Sequence, residues 1–470
     1  MNWHLFTPEL SMLCAAALFL MLACLPADPR RTYAIAVAAG AVVAGICFAT
    51  INLQGDLFDG SYRIDRFSQI FKSLLAMGYF LVVFLCSGLS GIHTKRHGEF
   101  YLLLTLCTLA MMLMTSGIHL LVIYLALELS SYSLYSLVFM RRDTAQGLRS
   151  GLTYFLVGIS ASAIMLFGLA LIYAASGALN LDDLAIAVPG IMGSPVLAAG
   201  VLFAFGGFFF KLAVFPFHFW APDVYEGAPN QVAAFIATVS KVAAVAILVR
   251  VIEPFQGVDL LVKAMITLAI VSMTVGNLSA IYQKDFKRLM AFSSIAHAGY
   301  ILIGILCMTA RGISSVIFYA AAVLVLKFTC FMVMVTLARD GRNLQISELA
   351  GLHQRSPVLA LALMMALFGL AGIPPTIGFT GKFLIFTAAM EQGYLVLVLI
   401  AMVNVVISLY YYLLVLKAAY LDKPATEPPP CAVSAPSRWL AIAMIAVIVA
   451  VGIYPSALLN LVMSAAQSLR

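Results

Sequence analysis

A chain of 470 residues in which 63% are hydrophobic and only 10% are charged cannot hide its apolar surface in a water-soluble core. The composition excludes a soluble enzyme. The formal net charge of +7 is a statement about membrane topology before it is any signal for nucleic acid.

Apolar runs near or above the roughly 20 residues that cross a bilayer recur about fourteen times, which predicts an all-α polytopic membrane protein. The first three runs are 9–26, 33–53 and 68–92. The flank from Met1 to Glu9 carries no Lys or Arg, so the first run reads as a retained helix and not as a signal peptide. Lys72, near the start of the third run, is expected to snorkel to the interface.

Runs 4 to 8 cover 100–116, 118–140, 151–176, 195–220 and 229–252. Runs 9 to 13 cover 260–282, 288–309, 312–338, 357–390 with an interruption, and 394–420, and the last is 438–463. The longest polar stretches are the Arg339 to Pro357 loop and Leu421 to Ser437, whose prolines make it a stiff linker.

Two runs are broken by glycine and proline. Lys211 follows Gly206 and Gly207 and precedes Pro216, while Lys382 follows Pro374, Pro375, Gly378 and Gly381. The broken runs 7 and 12 stand five apart, and an odd shift reverses the direction of crossing. Two inverted five-helix repeats are therefore expected, runs 4–8 (100–252) and runs 9–13 (260–420), within a single membrane domain of 1–470. In transporters built this way, sites lie near the midplane at the broken helices.

Loop charge sets the orientation. Of the 27 Lys and Arg, sixteen fall on one set of alternate loops, from Arg30 and Arg31 to Arg438, and six on the other, among them Arg63, Arg250, Arg311 and Arg470. The rich side is cytoplasmic by the positive-inside rule, and both termini then face outward.

Charge inside the runs is the strongest functional signal. Glu128, Lys211, Lys241, Lys327 and Lys382 sit within otherwise apolar sequence. A charge at the bilayer centre costs roughly 2.5–3.5 kcal/mol on insertion scales, so such groups usually serve ions, protons or substrate. Glu128 has no second charge in the run His119 to Phe139, and its partner must come from another helix; Lys211 is the choice. A lysine ammonium can release its proton when buried, whereas arginine stays charged. Lysines on successive helices would form a row along which protons pass through water. His297, in SSIAHAGY, is either a proton relay or a histidine hydrogen-bonded between helices.

The eight cysteines show no CxxC spacing, and no phosphate-cradling glycine motif is present. No cofactor is expected in this chain, and any redox chemistry belongs to partners.

The stretch FGGFFFKLAVFPFHFWAPDVYEGAP, from Phe205 to Pro229, resembles the signature of the antiporter-like subunits of respiratory complex I. So do YLALELSSYSLYSL and QKDFKRLMAFSSIAHAGYILIG, and the resemblance covers nearly the whole chain. Within that family Glu128 matches the span 5 glutamate, Lys211 the span 7 lysine that pairs with it, and Lys241 the connecting lysine of span 8. GFTGKF, with Lys382, follows the N branch of the family, where the M branch has a glutamate. With Arg470 close behind run 14, the long lateral helix of the L branch is not expected. Lys327 departs from the N branch and is similar to the L branch and the antiporters.

The resemblance implies a subunit of NADH:quinone oxidoreductase that moves protons while other subunits carry electrons from NADH to quinone. FMN and iron–sulfur clusters would sit in those partners. The neighbours implied are the M and L antiporter-like subunits, the small membrane subunits K, J, A and H, and membrane lipids. The location implied is the bacterial inner membrane, multi-pass, with both termini periplasmic. Mrp-type cation/proton antiporters share the fold and are the alternative.

Overall fold

The computed structural model describes residues 2–25, 28–141, 144–338, 340–424 and 433–469. Arg142, Arg339, Cys431, Arg470 and the prolines 428–430 of the expected linker lie outside the described residues.

Lipid offers no partner to a backbone N–H or C=O, so the apolar runs close their hydrogen bonds internally as helices. In chain order these are α1 (Thr7–Cys24), α2 (Pro29–Ala49), α3 (Arg66–Phe84), α4 (His97–Ser116), α5 (Leu120–Val138) and α6 (Ala145–Ser176). Then follow α7 (Leu181–Ile191), α8 (Pro195–Leu212), α9 (Trp220–Gly227), α10 (Asn230–Ala237), α11 (Val239–Ile252), α12 (Asp259–Ile281), α13 (Phe286–Leu306) and α14 (Ala310–Leu337). The chain continues with α15 (Leu352–Arg355), α16 (Pro357–Ala371), α17 (Ile377–Glu391), α18 (Leu395–Tyr420), α19 (Ala435–Ile453) and α20 (Ser456–Ser468). Side-chain caps start many of them: Asp65 accepts from the Ser68 N–H, Ser194 from Leu197, Asp285 from Arg288, Thr309 from Gly312 and Thr376 from Phe379.

Thirteen helical stretches among the described residues are long and apolar enough to cross a membrane. The fourteenth crossing is α16 and α17 in series, as the interruption in run 12 predicts. The structure departs from the sequence expectation at three places. Run 14 stops at Ile453, because Pro455 cannot continue the helix, and α20 turns back onto α3 and α14. α7, unforeseen in the sequence, buries only Leu181, Leu184 and Val188 and is too short to span. A hairpin of β1 (Gly55–Leu57) and β2 (Tyr62–Ile64) folds over the start of α3, packing Leu57, Tyr62 and Ile64 against Leu5.

The two broken crossings end their first halves alike. α8 closes with Ala213 at φ 64° and a hydrogen bond from the Val214 N–H to the Phe209 carbonyl at 2.9 Å. α16 closes with Gly372 at φ 88° and the equivalent bond from Ile373 to Phe368, also at 2.9 Å. These are left-handed caps that satisfy the terminal carbonyls before the chain turns. A cis X–Pro bond follows at the same spacing in each, Phe215–Pro216 and Pro374–Pro375.

Span 8, formed by α10 and α11, is buried throughout, and α13 and α14 nearly so, whereas α2 and α19 leave most of their surface outward. Both chain ends meet at the start of α3, where the Phe67 N–H donates to Ser468 Oγ at 3.1 Å.

Candidate functional site

The central helices pack in the order α8, α11, α14, α17. Each carries one of the expected lysines: Lys211, Lys241, Lys327 and Lys382, all 5% exposed or less. The row expected of lysines on successive helices is present. None of them snorkels, because every ammonium bonds inward.

Lys211 lies in the last turn of α8, and its Nζ donates to Ser130 Oγ at 2.9 Å and Ser131 Oγ at 3.0 Å on α5. Glu128 stands on the same helix one turn away, and its Oε1 accepts from Ser162 Oγ on α6. Among the described residues Glu128 and Lys211 make no direct ion pair. The serines hold the two charges as near neighbours, with Glu128 the more exposed at 9%.

Lys241 donates to the Lys211 carbonyl at 3.1 Å and lies 4.9 Å over the Trp220 ring, which is itself stacked on Tyr154. That carbonyl is at the end of α8, so the ammonium of span 8 meets the negative end of a helix dipole at the break. Lys382 does the same at the other break. Its Nζ donates to the Leu370 and Ala371 carbonyls at 2.8 and 3.1 Å, at the end of α16, and lies 4.8 Å over the Tyr300 ring. Gly372 gives it room: a Cβ there would come within 3.1 Å of Lys382 Cδ.

Lys327 is fully buried and donates to Ser293 Oγ at 2.6 Å and to the Met290 carbonyl at 2.8 Å on α13. Ser293 bonds Tyr412 Oη at 2.6 Å, Tyr412 reaches His297 Nε2 at 3.3 Å, and His297 Nδ1 meets Tyr319 Oη at 2.6 Å. His297 therefore sits inside a continuous hydrogen-bond chain that starts at a lysine.

The serines are what the sequence reading missed. Ser130–Ser131 on α5 and Ser293–Ser294 on α13 each put a serine pair in the crossing that receives a lysine. In each half one lysine bonds into a serine pair, Lys211 to both serines and Lys327 to Ser293 alone, and another caps a broken helix, although the lysines come from different crossings. The signal was readable as SS in both LELSSYS and MAFSSIA, but nothing local links it to a lysine far along the chain.

The acids of the PDVYEGAP run also have a place. Asp223 and Glu226 both bind Arg288 Nη1, at 2.7 and 2.8 Å, and Lys287 donates to the Ala228 carbonyl at 2.9 Å. The run clamps α9 to the start of α13. Lys72 corrects the reading at the other end of the molecule, for it is fully buried and forms an ion pair with Glu9 at 2.6 Å. No group of three or more His, Cys, Asp or Glu that could hold a metal ion occurs among the described residues.

Two broken crossings around a row of buried lysines, in a bundle of many apolar spans, are the mark of a multi-pass ion-translocating membrane protein. The family described as NADH:quinone oxidoreductase/Mrp antiporter, transmembrane, matches residues 117–408, and the chain belongs to it. It is similar to NADH-quinone oxidoreductase subunit N 2 of Syntrophobacter fumaroxidans, 55% identical over all of both chains. The subunit N 2 of Opitutus terrae is 38% identical over 96% of this chain and 95% of its own. Among solved structures, a chain of respiratory complex I from Thermus thermophilus with bound aureothin is 32% identical, covers 96% of this chain and 98% of that one, and superposes with a TM-score of 0.84. A chain of the Mrp complex from Dietzia, 19% identical over 100% and 98% with a TM-score of 0.86, shares the fold.

Proposed function

We propose that this chain is the N-type membrane subunit of a bacterial NADH:quinone oxidoreductase and moves protons outward while partner subunits pass electrons from NADH to quinone. The observation that carries the proposal is the lysine row on α8, α11, α14 and α17, buried and hydrogen-bonded inward at every position. The family membership and the subunit N relatives support the same reading.

In the mechanism proposed, a charge change arriving from a neighbouring subunit acts on Glu128. Glu128 and Lys211 carry opposite charges, and the attraction between them grows as the low-dielectric interior replaces water. When Glu128 is neutralised or drawn away, Lys211 gives up its proton toward Lys241, whose ammonium bonds the Lys211 carbonyl. Lys327 and the chain through Ser293, Tyr412 and His297 carry it on toward Lys382. The similar helix ends at the two breaks and the two serine pairs favour inverted repeats over 100–252 and 260–420. A cavity of about 310 Å³ at the start of α10, lined by Ser87, Ser90, Gln231 and Thr336, fits the uptake vestibule on the basic, cytoplasmic face. Both termini then lie on the periplasmic face of the inner membrane.

No redox group is assigned to this chain; FMN and iron–sulfur clusters belong to partner subunits, with the M and L subunits and the small subunits K, J, A and H as membrane neighbours. Lys211→Ala, measured in membrane vesicles for NADH-driven quinone reduction and proton pumping, should lose pumping with the complex assembled. Unchanged proton yield per NADH would sink the reading. Cation/proton exchange without NADH-linked activity in the unaltered protein would establish the Mrp-type alternative, which Lys327 favours.

A further inference from the structure

A second cluster of buried charge lies away from the lysine row, between α1, α3, α11 and the β-hairpin, and only its Arg250 falls within the residues matched by the family. Glu9 and Lys72, both fully buried, pair at 2.6 Å, and Tyr62 Oη donates to Glu9 Oε1 at 2.5 Å. Nearer the chain ends, Arg250 binds both carboxylate oxygens of Asp65, at 2.9 and 2.8 Å, and both residues are buried. Between them on the same face of α3 stands Gln69, fully buried, with neither amide atom hydrogen-bonded among the described residues. Glu9 Oε2 and Arg250 Nε are also without a hydrogen-bond partner among them.

Four unsatisfied polar atoms on three neighbouring helices are too costly to leave dry, at about 1–3 kcal/mol each, so ordered water is the economical occupant. The depth of the cluster follows from helix geometry. Asp65 and Arg250 are joined, Lys72 is seven residues inward along α3, and Lys241 is nine residues inward along α11. At 1.5 Å per residue the Glu9–Lys72 pair lies about 10 Å from the joined pair and Lys241 about 13 Å, so the two lysines stand within roughly one turn in depth on adjacent helices. Tight packing between these helices, where a Cβ on Gly78 of α3 would come within 2.8 Å of Val239 on α11, keeps the register.

We infer that Glu9, Lys72, Gln69 and the Asp65–Arg250 pair line a hydrated proton exit branch from the lysine row to the face bearing the chain ends. The inference rests on the proposed direction of pumping. In the step, an N–H bond of the Lys241 ammonium breaks and, through water, an O–H bond forms on the Glu9 carboxylate. Lys241 is left neutral, and Glu9 no longer offsets Lys72. Glu9 then gives the proton to water beside Gln69 and the Asp65–Arg250 pair, which restores its ion pair with Lys72. No other reactant is consumed.

The test uses the intact complex in vesicles, with assembly quantified and Lys211→Ala run in parallel. Gln69→Leu removes an amide to which no group among the described residues is hydrogen-bonded. If the site is dry, that change is neutral or stabilising and pumping per NADH stays at the unaltered level, which overturns the inference. If water passes there, the complex assembles and its proton yield falls toward that of Lys211→Ala. The double change Glu9→Leu with Lys72→Met removes both charges at once, which spares the fold the isolated buried charge a single change would leave. It should give the same loss, and normal pumping in it would likewise overturn the inference. Normal pumping in Lys211→Ala itself would instead strike the functional reading.

Discussion

The lysine side chains do two jobs that substitution can separate. Lys241 and Lys382 each cap the end of a helix with an ammonium, and arginine would keep both the charge and the N–H donors. Arginine cannot release a proton in this range. Lys241→Arg is therefore expected to assemble normally and to lose pumping, measured as proton yield per NADH; a normal yield would show that only the charge matters. Ala213 and Gly372 hold the same left-handed position at the two breaks. Gly372→Ala should cost about 1–2 kcal/mol for the left-handed backbone, and its Cβ would press on Lys382. A lower unfolding temperature together with weakened pumping is the expected pair of results. At this scale the charged residues were plain from sequence, because a lysine amid leucines stands out. The serines, tyrosines and Glu9 that receive them were not. Glu9 sits in TPELSML, one acid near the chain start, and its partner Lys72 is 63 residues away.

Among elements, the clearest lesson is that breaks are readable and folding-back is not. Glycine and proline around 206–216 and 372–381 announced both interrupted crossings. The early stop of α8 at Leu212 follows the same logic as α16, since a left-handed residue must end either helix. The return of α20 onto α3 depends on contacts made by a segment more than 370 residues distant, which no local pattern encodes. The clamp of α9 on α13 also joins remote segments. Arg288 is about one third exposed, so its bonds to Asp223 and Glu226 contribute only about 0.2–1 kcal/mol each to stability. Arg288→Ala should thus lower the unfolding temperature slightly while altering pumping more, because α9 carries Trp220, which covers Lys241. Equal effects on both would assign the clamp a purely structural part.

For the molecule as a whole, orientation is the property that composition encodes and packing does not. Cys24 is exposed at the end of α1 on the basic side, and Cys14 lies mid-helix. With Cys24 as the sole cysteine, a membrane-impermeant thiol reagent should label inverted vesicles and spare intact cells. The opposite result would reverse the direction of every step proposed above. The interior is graded, with α10, α11, α13 and α14 enclosed and α2 and α19 at the rim, so Lys241 and Lys327, in the middle of the charge row, occupy the most enclosed part of the protein.

The capping of each break by a lysine has a mechanical consequence. An amine that has lost its proton still keeps two hydrogens, enough to hold the two carbonyls that Lys382 now binds. The hinge points of the broken crossings therefore stay latched whether or not the charge is present. On this account the protein conducts as a fixed wire with switchable charge, and the half-helices need not swing like gates for each proton that passes.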